Sequence, residues 1–193
     1  MRPAPGPMAS LADHAHLVAA HLAAPLGMEQ VDALIAHASL DELPAGAILL
    51  RDQAPVDALY LILEGRVALS VEVAGHAIHL GDMAAGNWIG ELAYFCGSHL
   101  AASTVIAATD LRLMRLTHAA FDELAVAQPV AACRLTHVLV TMLIHRLRAT
   151  VQDPVLDADG ELLMLGDLSL PAPVRRAHEP GVREFLRRLL GLT

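Results

Sequence analysis

The twenty residues from Gly86 to Val105, GNWIGELAYFCGSHLAASTV, have the composition of a loop that holds a phosphate group. Glycines and small side chains let backbone N–H groups approach an anion closely, and Glu91 adds a carboxylate that can accept hydrogen bonds from hydroxyl groups. The segment nevertheless contains no arginine and no lysine, the side chains that pair with phosphate most strongly. What such a loop can bind depends on the elements that position it.

Hydrophobic spacing predicts those elements. Apolar residues at helical spacing predict two N-terminal helices within residues 10–40, with Ser10 as the first N-cap. Short alternating runs, divided by Gly, Pro and Asp, then predict strands at 47–50, 58–63, 66–73, 76–83, 102–107 and 111–116. A short helix capped by Thr117 and a long helix over 130–151 follow. We therefore predict an α+β fold, an antiparallel double-stranded β-roll (jelly-roll-like) flanked by N-terminal helices and a long C-terminal helix.

The same pattern divides the chain into three parts. We expect residues 1–9 to be a flexible N-terminus and residues 10–152 to form the domain with its flanking helices. Residues 153–193 are predicted to contain a hairpin turning at Asp159-Gly160, a Pro-rich linker and a short amphipathic helix at 181–191.

Composition excludes several classes of protein. The net charge is −8 and all 13 basic residues are arginine, so the chain lacks the basic excess that nucleic-acid binding requires. No apolar stretch is expected to reach the roughly 20 residues of a membrane span, and the first residues lack the apolar core of a secretion signal. We therefore expect a cytoplasmic protein, with Cys96 and Cys133 as reduced thiols.

Several segments, in order along the chain, resemble the cyclic-nucleotide-binding domain family. They are LPAGAILLRDQAPVDALYLILEGRVALS (43–70), GDMAAGNWIGELAYF (81–95) and LRLMRLTHAAFDEL (111–124). The resemblance covers roughly residues 40–150 and implies the β-roll of the catabolite activator protein type. It also implies a ligand site, because the family binds a cyclic phosphate with the backbone amides of a short cassette within this roll.

The resemblance assigns roles to individual residues of the loop. In the family a cassette glutamate binds the ribose hydroxyl and a later arginine pairs with the phosphate. Here Gly90, Glu91, Leu92 and Ala93 match the front of the cassette, which puts Glu91 at the sugar-binding position. The arginine position is Leu100 when counted forward from Gly90, and Ala101 when counted back from Thr104. Ala102 and Ser103, which follow, keep the small side chains that the family uses.

The missing arginine weakens the expected affinity for an ordinary cyclic nucleotide. A hydrogen bond to a charged group contributes about 1.5–3 kcal/mol, so its loss lowers affinity roughly ten- to a few hundredfold. We therefore predict a regulatory or sensor module, or a protein-interaction module, with a degenerate phosphate cassette. Three states of the pocket stay open: ordinary cyclic-AMP binding, a different ligand such as cyclic di-GMP, or no small ligand. Arg146, Arg148 and the C-terminal arginines are candidates to replace the missing cation.

Partners are predicted from the two C-terminal helical segments. The helix over 130–151 is apolar on more than one side, which predicts either packing on the roll or a homodimer through Leu135, Leu139 and Met142. The helix at 181–191 either folds back on the body or docks on a partner protein. No catalytic residue, metal site or cofactor is predicted, and neither DNA nor a membrane is favoured as a partner, since no winged helix-turn-helix follows residue 150. A DNA-binding transcriptional regulator is the alternative from a different class.

Overall fold

The computed structural model describes residues 10–73, 75–152, 155–156 and 162–163. A 3₁₀ helix, Leu11–His14, precedes all other elements. The helices are α1 (Ala15–Leu26), α2 (Met28–His37), α3 (Glu91–Phe95), α4 (His118–Ala127) and α5 (Pro129–Gln152). The strands are β1 (Ser39–Leu43), β2 (Ile48–Leu50), β3 (Ala58–Glu64), β4 (Arg66–Val73), β5 (His76–Ala84), β6 (Trp88–Ile89), β7 (Thr104–Ala107), β8 (Leu111–Thr117), β9 (Val155–Leu156) and β10 (Leu162–Leu163).

Local side chains begin and separate the helices as the sequence predicts. Ser10 caps the 3₁₀ helix in a capping box with Asp13, and the Thr117 hydroxyl accepts a hydrogen bond from the Ala120 backbone at 3.0 Å. Gly27, with φ of 89°, ends α1 and lets the chain turn directly into α2. These signals explain why the N-terminal region is two helices and not one.

Two antiparallel four-stranded sheets form the roll. One has the strand order β1-β8-β3-β6 and the other β2-β7-β4-β5. Their facing apolar side chains make one core, which includes Ile62, Val67 and Leu113. The other face of β3 packs on the helices through Leu59 and Leu61, so that β3 is buried on both sides.

The predicted fold class is confirmed, although not every strand was predicted. Strand β1 was not predicted, because its sequence SLDEL is short and charged, yet it pairs in register with β8 from Ser39↔Arg115 to Leu43↔Leu111. Strands β9 and β10 pair antiparallel where the sequence predicts a hairpin. Its turn at 159–160, the segment 1–9 and the helix at 181–191 lie outside the described residues.

The structure of helix α5 differs from two expectations based on the sequence. Its residues Pro129–Ala149 are long and apolar enough to cross a membrane, with a mean hydropathy of 1.3, which the sequence analysis did not anticipate. Their length alone does not make them a span, because α5 packs on α1, α2 and α4 within the domain. Leu135 and Leu139 are fully buried in that core, so they are not available to a second copy as predicted. The outward face of α5 carries Val140 and Ile144 instead.

Candidate ligand-binding pocket

The turn that starts the cassette requires a glycine. Gly90 follows β6 and precedes α3, and its φ is 92°. A Cβ atom at this position would lie 2.4 Å from the backbone oxygen of Ala58. Only glycine therefore fits the left-handed turn against β3, and this turn places Glu91 as the first residue of α3.

The Glu91 carboxylate points inward and pairs with an arginine from α5. Its side chain is 2% exposed, and the Arg146 guanidinium, which is 14% exposed, donates a hydrogen bond to Glu91 Oε1. Arg146 also donates to the Trp88 carbonyl oxygen at 2.6 Å and lies 3.2 Å from the Met142 sulfur, one turn earlier on α5. The pair thus joins the C-terminal half of α5 to the cassette.

Burial controls the ionisation of this carboxylate. Desolvation raises the pKa of Glu91 above its ordinary value, while the neighbouring Arg146 charge opposes that rise. The buried carboxylate and the guanidinium form a charge-assisted hydrogen bond in an environment that contains little water. Loss of either partner leaves the other without its main counter-charge.

A cavity of about 50 Å³ lies beside this pair. Its walls come from both sheets, the cassette and α5; they are Leu50, Leu69, Met83, Trp88, Ile89, Gly90, Glu91, Leu92, Ala93, Ala101, Ala102, Ser103, Val105 and Arg146. Pockets that enclose drug-sized ligands have volumes of roughly 300–1,000 Å³, so this cavity is too small to enclose a nucleotide in the conformation described.

The structure brings the predicted site residues together around this cavity, with the exception of Leu100. Leu100 is 39% exposed and lies outside the cavity walls, whereas Ala101 is 3% exposed and lies in them. The Ala101 backbone is fixed on both sides, because its N–H donates to Ala54 O at 2.8 Å and its oxygen accepts from Gln53 N at 2.9 Å. Of the two predicted positions for the phosphate arginine, Ala101 is therefore the one that faces the pocket.

Comparison with known proteins agrees with this geometry. The sequence model described as "Cyclic nucleotide-binding domain" matches residues 40–128, which contain both sheets, the cassette and α4. Residues 40–128 belong to the cyclic nucleotide-binding domain family. A cyclic nucleotide-gated potassium channel of Rhizobium etli is 38% identical over 89 residues, which are 46% of this chain and 23% of the channel. The chain therefore matches less than a quarter of that relative's length.

Solved structures show the same fold. A cyclic nucleotide-binding domain from Methylobacillus flagellatus superposes with a TM-score of 0.68 over 75% of this chain and 84% of that one, at 19% identity. The sensor domain of the transcriptional regulator DNR from Pseudomonas aeruginosa superposes with a TM-score of 0.55 over 70% of this chain and 91% of that one, at 26% identity. The chain thus has the cyclic nucleotide-binding fold, which is also the fold of the DNR sensor domain.

A polar and aromatic cluster links the cassette helix α3 to α4. The Tyr94 hydroxyl on α3 donates to the Asp122 carboxylate on α4 at 2.5 Å, and burial together with this bond raises the pKa of Tyr94 to about 12. The Tyr94 ring lies 4.7 Å from the His118 ring, which is 5.5 Å from His99. Burial and the His99 charge lower the pKa of His118. This cluster attaches α3 to α4.

Sequence reasoning did not single out Arg146 as a pocket residue. It was one of several arginines that could reach the cavity, and no local pattern separates it from Arg148 two positions later. The only available signal is helical spacing, because Arg146 follows Met142 by one turn on the inward side of α5 while Arg148 is exposed. Chemically, the pocket combines a carboxylate, a guanidinium and apolar walls. Among the described residues, no group of three or more His, Cys, Asp or Glu is placed to hold a metal ion.

Proposed function

We propose that this protein is a regulatory module whose cyclic nucleotide-binding domain does not bind cyclic AMP in the way usual for the family. The observation that carries the proposal is the alanine at position 101. This residue lines the cavity, at one of the two positions to which the family resemblance assigns the phosphate-pairing arginine, and its methyl group can neither donate a hydrogen bond nor neutralise a phosphate.

The remaining polar groups do not replace that arginine without a rearrangement. Arg146 lies in the cavity wall, but its guanidinium is bonded to Glu91 and to the Trp88 carbonyl oxygen. A cyclic nucleotide that used Arg146 for its phosphate would have to draw it from a buried carboxylate. That carboxylate would then exchange the guanidinium for a ribose hydroxyl, which is a weaker partner for a charge.

The regulatory part of the proposal is supported by what the relatives are. The Rhizobium etli relative is named a cyclic nucleotide-gated channel, and the Pseudomonas aeruginosa structure is the sensor domain of a transcriptional regulator. In both names the domain belongs to a protein whose activity is controlled. We propose the same role here, in a cytoplasmic protein.

We also propose that a second copy of the chain packs against the outward face of α5. Val140 and Ile144 are exposed there, and Val130 and His137 extend the same stripe at helical spacing. Arg146 is two residues after Ile144, which is about 200° around the helix, so pocket and stripe occupy opposite sides of α5. A change at the pocket that shifts α5 would therefore move the dimer face.

The experiment that tests the pocket proposal is an arginine substitution at the two neighbouring positions. Cyclic AMP binding is measured by calorimetry for the unchanged chain, for Ala101→Arg and for Leu100→Arg. Arginine at 101 is expected to improve affinity roughly ten- to a hundredfold, because it restores a charged donor to phosphate. Arginine at 100 adds the same charge outside the cavity and is expected to change affinity little.

The same titrations with cyclic GMP and cyclic di-GMP determine whether another nucleotide is preferred. Low-micromolar binding of either cyclic mononucleotide by the unchanged chain would contradict the proposal. So would an equal gain in both arginine variants, because the effect would then come from net charge and not from the pocket. Thermal unfolding of Ala101→Arg shows whether the larger side chain is accommodated at this buried position.

A further inference from the structure

We propose that His99 and His118 form a proton-sensitive contact, which holds the cassette loop against α4 at neutral pH and releases it when both rings become charged. The two residues lie on different segments, since His99 belongs to the loop between α3 and β7 and His118 is the first residue of α4. The contact controls the position of this loop, whichever ligand the pocket binds.

The geometry of the two rings favours their neutral forms. The ring centroids are 5.5 Å apart, so a charge on one ring lies close to the other. The His118 Nε2 atom is buried and has no hydrogen-bond partner among the described residues. A protonated imidazole carries an N–H donor on both nitrogens, and a buried charged donor without an acceptor is unfavourable. A proton on His118 is therefore disfavoured while the ring stays in this place.

The other titratable groups near His118 do not cancel this effect. They are Tyr94 on α3, Asp57 before β3 and Asp122 on α4. Both carboxylates already have partners, because Arg115 donates to Asp57 at 2.9 Å and the Tyr94 hydroxyl donates to Asp122 at 2.5 Å. Burial, and after it the His99 charge, lower the pKa of His118, and the attraction of the two carboxylates does not offset them.

The loop that carries His99 also forms part of the pocket wall. His99 has a φ of 53°, and a residue other than glycine adopts this left-handed conformation when its surroundings hold it there. Its N–H donates to Ala93 O at 3.0 Å and its oxygen accepts from Val56 N at 2.8 Å. Ala101, two residues later, lines the cavity. Repulsion between the charged rings opposes these backbone bonds, and their opening displaces the pocket wall.

The direction and size of the pH effect follow from linkage. Opening of the loop frees His118 from burial and from His99, so its pKa returns toward about 6.5 in the open state. Because the pKa is lower in the closed state, the open state gains population as the pH falls below about 6.5, by at most about tenfold for each pH unit. Between pH 7.5 and 5.5 the open fraction should therefore rise roughly three- to tenfold.

Amide hydrogen exchange of the full-length chain without ligand, at pH 7.5, 6.5 and 5.5, tests this contact. The readout is the protection of the His99 and Ala101 amides, corrected for the intrinsic exchange rate at each pH. Both amides are expected to lose protection roughly three- to tenfold between pH 7.5 and 5.5. Constant protection over this range would overturn the proposal.

A core amide separates release of the loop from unfolding of the whole domain. The Ile62 amide bonds to Asn87 O at 2.9 Å within the roll. The two loop amides are expected to be less protected than the Ile62 amide at every pH, because they exchange through a local opening. Equal protection at all three sites would show that global unfolding alone exposes the loop, and would overturn the proposal.

Three variants show whether these histidines cause the pH dependence. His118→Gln removes the buried ring and is expected to reduce the pH-dependent loss of protection to less than about twofold. His99→Gln, at an exposed position, is expected to reduce it in part, since burial of His118 remains. His16→Gln is the matched control, because His16 is an exposed histidine on α1 whose ring lies 6.4 Å from that of His14, and it should keep the full loss. A full loss in both His118→Gln and His99→Gln would overturn the proposal.

Discussion

Replacement of Arg146 by glutamine is expected to destabilise the domain far more than replacement of Glu91 by glutamine. The first change leaves a carboxylate that is 2% exposed without its counter-charge, which costs about 3–5 kcal/mol. The second leaves a guanidinium that is 14% exposed and keeps the Trp88 carbonyl oxygen as a partner. It loses one charge-assisted bond, about 1–3 kcal/mol.

The loss of stability in Arg146→Gln relative to the unchanged chain is also predicted to depend on pH. Burial already raises the pKa of Glu91 above its ordinary value of 4.5, and removal of the Arg146 charge raises it further. A carboxyl whose pKa is higher in the folded state contributes its stability below the unfolded-state pKa and loses it as the pH rises through the folded-state pKa. The deficit of Arg146→Gln relative to the unchanged chain should therefore be small near pH 4.5 and should grow toward pH 7.5.

Urea and thermal unfolding at pH 4.5, 6.0 and 7.5 measure this difference. For a chain of this size a deficit of 3–5 kcal/mol corresponds to a fall of about 6–20 °C in the unfolding temperature. Arg148→Gln serves as the matched control, because Arg148 is an exposed arginine on the same helix. Equal losses for Arg146→Gln and Glu91→Gln, or a deficit that does not change with pH, would refute the buried-pair reasoning.

Three further predictions concern other parts of the domain. Burial and His99 lower the pKa of His118 below 6.5, so folding stability should fall as the pH drops from about 6.5 toward that lowered pKa. Urea titrations of His118→Gln should show a shallower fall of stability with pH, and an unchanged pH slope would contradict this. Ile144→Asp should shift the chain from dimer to monomer in sedimentation velocity, whereas Val126→Asp, on α4 and also exposed, should not; a dimer in both would place the interface elsewhere. Gly90→Ala should lower stability at least twice as much as Gly97→Ala, which costs about 1 kcal/mol for its left-handed φ alone. Of these two positions, only Gly90 would place the new Cβ against a backbone oxygen, at 2.4 Å, so similar thermal shifts would argue against this clash.

The sequence predicted the roll well because its strands are bounded by residues with strong local preferences. Strand β3 is a continuous apolar run that ends in Glu64-Gly65, and Gly65 adopts a φ of 93° as the predicted turn requires. Strand β1 was missed because its alternation is weak: SLDEL contains two leucines among charged residues. Its pairing with β8 is a contact between distant segments, which no local pattern reports.

The helix α5 shows what the spacing of apolar residues alone cannot predict. Spacing indicates that the helix is apolar on more than one side, but it does not say which side the rest of the chain covers. Leu135 and Leu139 were assigned to a dimer, although α1, α2 and α4 bury them. The outward residues Val140 and Ile144 could be identified only after these neighbours were placed.

The sequence predicted the cassette residues that line the pocket, but it did not identify the polar partner of Glu91. The cassette glycine, Glu91 and the small residues from Ala101 to Ser103 follow from the motif and all line the cavity. The choice between Leu100 and Ala101 required the structure, because the loop contains His99 with a φ of 53°, and such a local irregularity makes counting ambiguous. The Arg146–Glu91 pair joins residues that are 55 positions apart and depends on how α5 packs.

A calorimetric titration of the unchanged full-length chain with cyclic AMP tests the central claim most directly. With Ala101 in the phosphate position and Glu91 held by Arg146, the account predicts binding at least tenfold weaker than that of the same chain carrying Ala101→Arg. A dissociation constant in the low micromolar range for the unchanged chain, with no improvement on Ala101→Arg, would contradict it.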